Sequence, residues 1–127
     1  MSEPTPQAEK LYNALMGKKV VCRREPFDGK KHVDIAIPGA LIDIEVDGWH
    51  HWTNPEQIMA DYKRSFWSLV KFWKVTLHVP NYIIDNDVES VADAISAVAK
   101  KREGEIKNKL LKRFHLSKRQ EKQAKQF

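Results

Sequence analysis

The sequence predicts a small α/β domain with the element order α-β-β-β-α-β-α around a small mixed sheet. Three observations predict this class. The 127 residues suffice for one domain and leave little room for a second. An apolar fraction of 42% with four tryptophans is enough for a single compact core. Segments with the two-residue alternation of strands are interleaved with segments of helical periodicity.

Each predicted element has a sequence signal for its start, its end or its buried side. In chain order they are a helix over 6–17, strands over 20–22, 31–37 and 41–47, a helix over 54–73, a strand over 74–79 and a helix from 86. Thr5-Pro6 caps the first helix and Gly17 ends it. Asn86-Asp87 caps the last helix. We expect Gly104 to interrupt that helix.

The 54–73 helix is expected to lie in the core. Helical spacing places its large apolar residues on one stripe. These residues are Ile58, Tyr62, Phe66, Leu69, Val70 and Trp73, and Trp67 is also expected in the core.

Charge divides the chain into a mildly acidic body and a basic tail. The formal net charge is +5, and residues 100–127 alone hold eight Lys and three Arg against three Glu. We therefore predict a core over 1–99 and a basic, helical tail over 100–127. Such tails bind polyanions, because each Lys or Arg that meets a phosphate releases condensed counterions. The alternative is a solvated end that binds nothing specific.

Other features limit the class of protein. A single cysteine, Cys22, excludes a disulfide scaffold and a cysteine-rich zinc module. No apolar run approaches the roughly 18–20 residues that span a bilayer, and no export signal precedes the first helix. We expect an intracellular, cytoplasmic protein, associated with the nucleoid, that does not bind membranes.

The most informative segment is the predicted hairpin at 31–47. Apolar residues alternate with Asp34 on the first strand and with Asp43, Glu45 and Asp47 on the second. A two-residue loop would place Asp34 opposite Asp43, and a four-residue loop would place it opposite Glu45. An odd loop would put the acids on opposite faces, so an even loop is favoured.

Carboxylates that face each other across a strand pair destabilise a sheet unless something neutralises them. The remedies are raised pKa values, a neighbouring Lys or Arg, or a divalent cation. The strands carry no basic residue between the acids, and oxygen ligands on rigid strands suit Mg²⁺. The alternative is a solvent-facing acidic strand. A loop with Trp49, His50, His51 and Trp52 follows directly, which favours a functional site.

These residues resemble a known family. His32-Val33-Asp34, followed about ten residues later by Ile44-Glu45-Val46-Asp47-Gly48-x-x-His51, resembles the PD-(D/E)XK nuclease superfamily. The resemblance is closest to the branch with the very-short-patch-repair endonucleases and small nuclease-like domains with an E-V-D-G-x-x-H motif. It covers about residues 5–99. It also includes a first-helix glutamate, a basic pair and a D-x-x-R motif, which are Glu9, Arg23-Arg24 and Asp61 to Arg64.

The resemblance implies a restriction-endonuclease-like fold and a Mg²⁺-dependent DNA endonuclease or nickase, with Mn²⁺ as a substitute ion. Such an enzyme leaves 5′-phosphate and 3′-hydroxyl ends. Asp34 would be the principal metal ligand and Glu45 the second, with the Val46 carbonyl between them. Asp47 stands where the family has its catalytic lysine. The branch assigns that role to a histidine, here His51, or His50 if the register shifts by one.

Further roles follow from the same resemblance. Glu9 would hold a water or a histidine, and Asp61 would orient His51, with Arg64 completing the motif.

Other residues are assigned without the resemblance. His78, on the last strand, is expected to be a packed or rim residue. Trp49 and Trp52 either cover the core or stack on bases. The predicted nucleic-acid contacts are Arg23, Arg24, Trp49, Trp52, Lys107, Lys109, Lys112, Arg113, Lys118 and Arg119.

The expected partner is DNA, and RNA stays open. Because the motif lysine is missing, the alternative function is a nucleic-acid-binding module without catalysis, or an interaction subunit that retains the nuclease fold. The tail offers a contact for a second copy or for another protein.

Overall fold

A computed structural model describes residues 5–24, 34–47 and 54–124, without the side chains of residues 57, 61 and 116–124. The elements are α1 (Pro6–Gly17), β1 (Arg23–Arg24), β2 (Ile35–Ile37), a short 3-10 helix (Pro38–Ala40), β3 (Ile42–Asp47), α2 (Pro55–Phe72), β4 (Val75–Pro80) and α3 (Asn81–Ala124). The described strands form one sheet in the order β1-β2-β3-β4. β1, β2 and β3 pair antiparallel, and β3 and β4 pair parallel. The predicted α/β class with a small mixed sheet is confirmed.

The core lies between one face of the sheet and the helices α1 and α3. Alternation along the hairpin supplies the sheet side, as predicted, because every second residue is apolar. The sheet contributes Ile35, Ile37, Ile42, Ile44 and Val46, and the helices contribute Leu11, Leu15, Ile84, Ala92, Ile95 and Ala99.

The first helix follows its sequence signals, but the first strand does not. The Ala8 N–H donates to the Thr5 hydroxyl at 3.2 Å, and α1 ends at Gly17. The strand predicted at 20–22 is wrong, because β1 comprises only Arg23–Arg24. Val20 and Cys22 are instead buried in the core as the link from α1 to the sheet. Burial raises the pKa of the Cys22 thiol.

The last helix is longer than predicted. Its backbone leaves helical geometry at Asp87, whose carboxylate accepts from the Ser90 N–H at 3.0 Å and from the Ser90 hydroxyl at 2.6 Å. This is the expected cap, and the two hydrogen bonds lower the pKa of Asp87. The predicted interruption at Gly104 is wrong, because α3 continues to Ala124. A glycine costs a helix only about 1 kcal/mol, which its neighbours offset.

Arg102 of α3 joins two turns of the fold. Its Nε donates to the Ala40 carbonyl at 2.8 Å, and its Nη2 donates to the Trp73 carbonyl at 2.7 Å. Each carbonyl adjoins a residue with left-handed backbone geometry, since Leu41 has φ 55° and Trp73 has φ 60°. One guanidinium therefore fixes the hairpin turn relative to the end of α2.

α2 is oriented opposite to the prediction. Most of the stripe expected in the core is exposed: Phe66 and Val70 are 69% and 70% accessible, and Trp67 is 54% accessible. Only Ile58 and Trp73 of the expected residues are half-buried. The opposite side of the helix carries Arg64 and Ser68 and packs against the polar face of the sheet. Among the described helices, none is long and apolar enough to cross a membrane.

Candidate metal centre

The acidic residues of β3 lie together on the sheet face that α2 covers. Ile37 pairs with Ile42, so residues 38–41 form the four-residue connection, which is one of the two predicted even loops. Asp43, Glu45 and Asp47 therefore share the face opposite the apolar core. Asp43 is 1% accessible and Glu45 is 3% accessible. This burial excludes a solvent-facing acidic strand.

Two of these acids are paired with basic side chains from other elements. Arg64 Nη2 of α2 lies 2.6 Å from Glu45 Oε1. Lys74 Nζ, just before β4, lies 2.9 Å from Asp43 Oδ2. The strands themselves lack a basic residue between the acids, which is why their sequence alone predicted a cation. The neutralising charges that the structure shows come from elsewhere in the chain.

His78 is the site residue that sequence reasoning missed. Parallel pairing sets it beside Glu45 on the neighbouring strand. Its Nδ1 lies 3.3 Å from Glu45 Oε2 and 3.1 Å from Asp47 Oδ2. Its Nε2 lies 3.4 Å from the Ser65 hydroxyl of α2. His78 was expected to be a packed or rim residue; its side chain is 11% accessible and is packed inside the acidic cluster, so the structure adds a candidate ligand there.

Glu45, Asp47 and His78 form a group that could hold a metal ion, which we call the β3–β4 cluster. One ligand atom from each residue lies within 4.8 Å of the other two. Two carboxylates and an imidazole accept several divalent ions: the carboxylates suit Mg²⁺ or Mn²⁺, whereas an imidazole suits Zn²⁺, Fe²⁺ or Ni²⁺. The geometry leaves the identity of the ion open.

Asp34 lies at the bend that precedes β2. Its N–H donates to the Ile44 carbonyl at 3.0 Å, and its Oδ2 accepts from the Val46 N–H at 2.6 Å. The carboxylate thus takes the place of a backbone acceptor at the end of the hairpin. The predicted ligand set of Asp34, Glu45 and the Val46 carbonyl differs from the β3–β4 cluster, because Asp34 bonds the Val46 amide and His78 lies between the acids.

Glu9 is held by Arg24 at the edge of the sheet. Arg24 Nη1 donates to both Glu9 carboxylate oxygens at 2.7 and 2.8 Å, and its guanidinium lies 4.5 Å from the Tyr12 ring. Glu9 was predicted to hold a water or a histidine at the metal site, and Arg24 to contact nucleic acid. In the structure these two side chains pair with each other, and both are partly exposed. Arg23 pairs with Ala36 in the β1–β2 ladder.

The remaining predicted residues divide into exposed positions and positions outside the description. Lys107, Lys109, Lys112 and Arg113 are exposed on α3, and Lys109 Nζ lies 3.2 Å from the centre of the Trp73 ring. Residues 48–53, which include Trp49, His50, His51 and Trp52, lie outside the described residues. The side chains of Asp61, Lys118 and Arg119 also lie outside them.

No family model matches the chain, and no curated protein or solved structure matches it significantly.

Proposed function

We propose that the protein is a nuclease of the restriction-endonuclease-like fold that uses a divalent metal ion to hydrolyse phosphodiester bonds in DNA. The β3–β4 cluster carries the proposal, because Glu45, Asp47 and His78 place ligand atoms within 4.8 Å of one another. The predicted motif contributes Glu45 and Asp47, and the fold adds His78. A divalent ion bound there would stabilise charge on a phosphate and lower the pKa of a bound water.

The side chains around the cluster suit a phosphodiester substrate. Arg64 brings a guanidinium to Glu45, and a guanidinium matches the paired oxygens of a phosphate. The Ser65 hydroxyl lies 3.4 Å from His78 Nε2, so it would orient the imidazole ring while Nδ1 faces the carboxylates as a ligand. In this proposal the cluster holds the ion, and Arg64 contacts the phosphate.

The basic half of α3 supplies a surface for the nucleic-acid backbone. Residues 100–127 contain eight Lys and three Arg against three Glu. Lys107, Lys112 and Arg113 are exposed on a helix that extends from the core. Contacts of this kind would position a duplex without reading its sequence.

A second candidate is a nucleic-acid-binding module without catalysis. It is favoured by the Arg64–Glu45 pair at 2.6 Å and the Lys74–Asp43 pair at 2.9 Å, which neutralise two buried acids without an ion. The second candidate is also favoured by Asp47, which stands where the PD-(D/E)XK superfamily has its catalytic lysine. Both candidates share the basic helix, so they differ only in metal binding and turnover.

Plasmid nicking separates the two candidates. Wild-type protein is incubated with supercoiled DNA and Mg²⁺ or Mn²⁺, with EDTA as the metal-free reaction. We expect nicking that Asp47→Asn reduces by at least 100-fold, because the substitution removes a charged ligand. Asp93→Asn is the matched control, since it removes one exposed carboxylate of α3. DNA binding without nicking under either metal would support the second candidate and reject the enzyme.

A further inference from the structure

The exposed side of α2 is an apolar surface of the described chain that the proposed function does not use. We call it the α2 apolar face, and its residues are 39–70% accessible: Met59, Tyr62, Phe66, Trp67, Leu69 and Val70. At 100° per residue they cover a sector about 160° wide. Arg64 and Ser68 lie on the opposite side, against the sheet. The helix is therefore amphipathic, with its apolar side directed away from its own domain.

The size of this face fits a protein interface. Large apolar side chains present about 150–250 Å² each, so six that are roughly half exposed present on the order of 700 Å². A stable interface of standard size buries about 800 Å² on each partner. Monomeric proteins rarely expose apolar patches larger than a few hundred Å². The face is thus of the size that a single partner surface would cover.

The spacing along the face suits another helix of the same kind. Met59, Tyr62, Phe66 and Leu69 follow one another at intervals of three, four and three residues. This is the spacing of residues that form the seam between two packed helices. Because the residues are large and apolar along the whole seam, the face can pair with an identical copy of itself.

The helix dipoles select the relative direction of two copies. An antiparallel pair places the partly positive start of one α2 beside the partly negative end of the other, whereas a parallel pair places like ends together. Charged side chains do not set the direction, because Lys71 Nζ lies 4.8 Å from the centre of the Trp67 ring of its own helix and Lys63 is exposed within the face.

We propose that the protein forms a two-fold symmetric dimer in which the α2 apolar faces of two copies pack antiparallel. This inference does not depend on the proposed nuclease activity. The β3–β4 cluster lies on the other side of α2, so dimerisation would leave each cluster complete within its own chain.

The mass of the full-length protein in solution tests the dimer. By sedimentation velocity we expect about 30 kDa for wild type, twice the 14.8 kDa of one chain. Phe66→Glu should give the monomer mass with an unchanged circular dichroism spectrum. Val21→Glu is the matched control, because Val21 is 80% accessible and lies outside α2. A monomeric wild type, including one that binds anionic lipid vesicles instead, would overturn the proposal. So would a dimer that survives Phe66→Glu.

Cysteine crosslinking tests the direction of the pair. Met59→Cys and Leu69→Cys are prepared as separate proteins and then oxidised alone and as a mixture, because an antiparallel pair centred between Tyr62 and Phe66 brings residue 59 of one copy opposite residue 69 of the other. The antiparallel dimer predicts a disulfide-linked product in the mixture and little in either protein alone. The native Cys22 gives little background, because it is buried. Crosslinking of each variant to itself would reject the antiparallel arrangement.

Discussion

The Arg64–Glu45 ion pair allows the cost of a buried charge to be measured inside the proposed metal centre. The Glu45 side chain is 4% accessible, whereas Glu9, which also pairs with an arginine, is 36% accessible. Removing one partner of a buried pair leaves a desolvated charge and costs about 3–5 kcal/mol. Because Arg64 itself is 34% accessible and His78 stays near Glu45, we expect Arg64→Ala to cost about 3 kcal/mol.

The assay is urea unfolding in EDTA, followed by tryptophan fluorescence at a fixed protein concentration. With a slope of about 1.5 kcal/mol per M, Arg64→Ala should lower the midpoint by about 2 M. The matched control is Arg24→Ala, which breaks the exposed pair with Glu9 and should cost about 1 kcal/mol. The double variant Arg64→Ala/Glu45→Gln should recover part of the loss, because it no longer contains the buried charge.

Metal ions extend the same experiment to the function. A bound divalent ion would replace the guanidinium as the neutralising charge, so Mn²⁺ should restore stability to Arg64→Ala. At 100 times its dissociation constant, an ion adds about 2.7 kcal/mol. The reasoning is refuted if Arg64→Ala loses no more stability than Arg24→Ala. If Arg64→Ala loses about 3 kcal/mol and Mn²⁺ does not restore it, the result would support the ion pair and reject the metal site.

Three further predictions use other parts of the fold. Asp34→Ala should destabilise the protein by about 1–3 kcal/mol in thermal unfolding, because it removes the acceptor of the Val46 N–H. Asp34→Asn retains an acceptor oxygen and should keep the stability. It should reduce plasmid nicking only if Asp34 also binds the ion. Deleting residues 107–127 should weaken DNA binding and flatten its salt dependence in fluorescence anisotropy, and an unchanged slope would contradict a role for the tail. The Ser90 hydrogen bonds lower the pKa of Asp87 below its ordinary 3.8. The difference in unfolding free energy between wild type and Asp87→Asn should therefore be present above pH 3.8 and be lost as the pH falls through the lowered pKa. A difference that does not change with pH would contradict this.

Local alternation was enough to predict the hairpin of β2 and β3 and its acidic face. The two-residue period of the hairpin fixes which side chains share a face, and Ile35, Ile37, Ile42 and Ile44 are buried on the side opposite Asp43. The same rule could have assigned His78, since it alternates with apolar residues on β4. That step also required knowing that β4 lies next to β3, which is a tertiary fact.

The helices show where a local pattern is insufficient. The stripe of Tyr62, Phe66 and Val70 has the spacing of a core face, and sequence periodicity does not reveal whether a core lies against it. The polar side of α2 packs inward because buried carboxylates require Arg64. The predicted interruption at Gly104 fails for a related reason, because the residues around it are good helix formers and the helix continues through the glycine.

The continuous helix after Arg102 sets how far the basic segment of α3 extends from the core. From Glu103 to Ala124 the helix extends about 33 Å, at 1.5 Å per residue. This is close to the length of one turn of duplex DNA. At the start of this segment, Arg102 donates hydrogen bonds to the Ala40 and Trp73 carbonyls and so holds the helix against the core. The lysines therefore have fixed positions along a rigid helix, so a polyanion bound to them is held at a defined distance from the rest of the molecule.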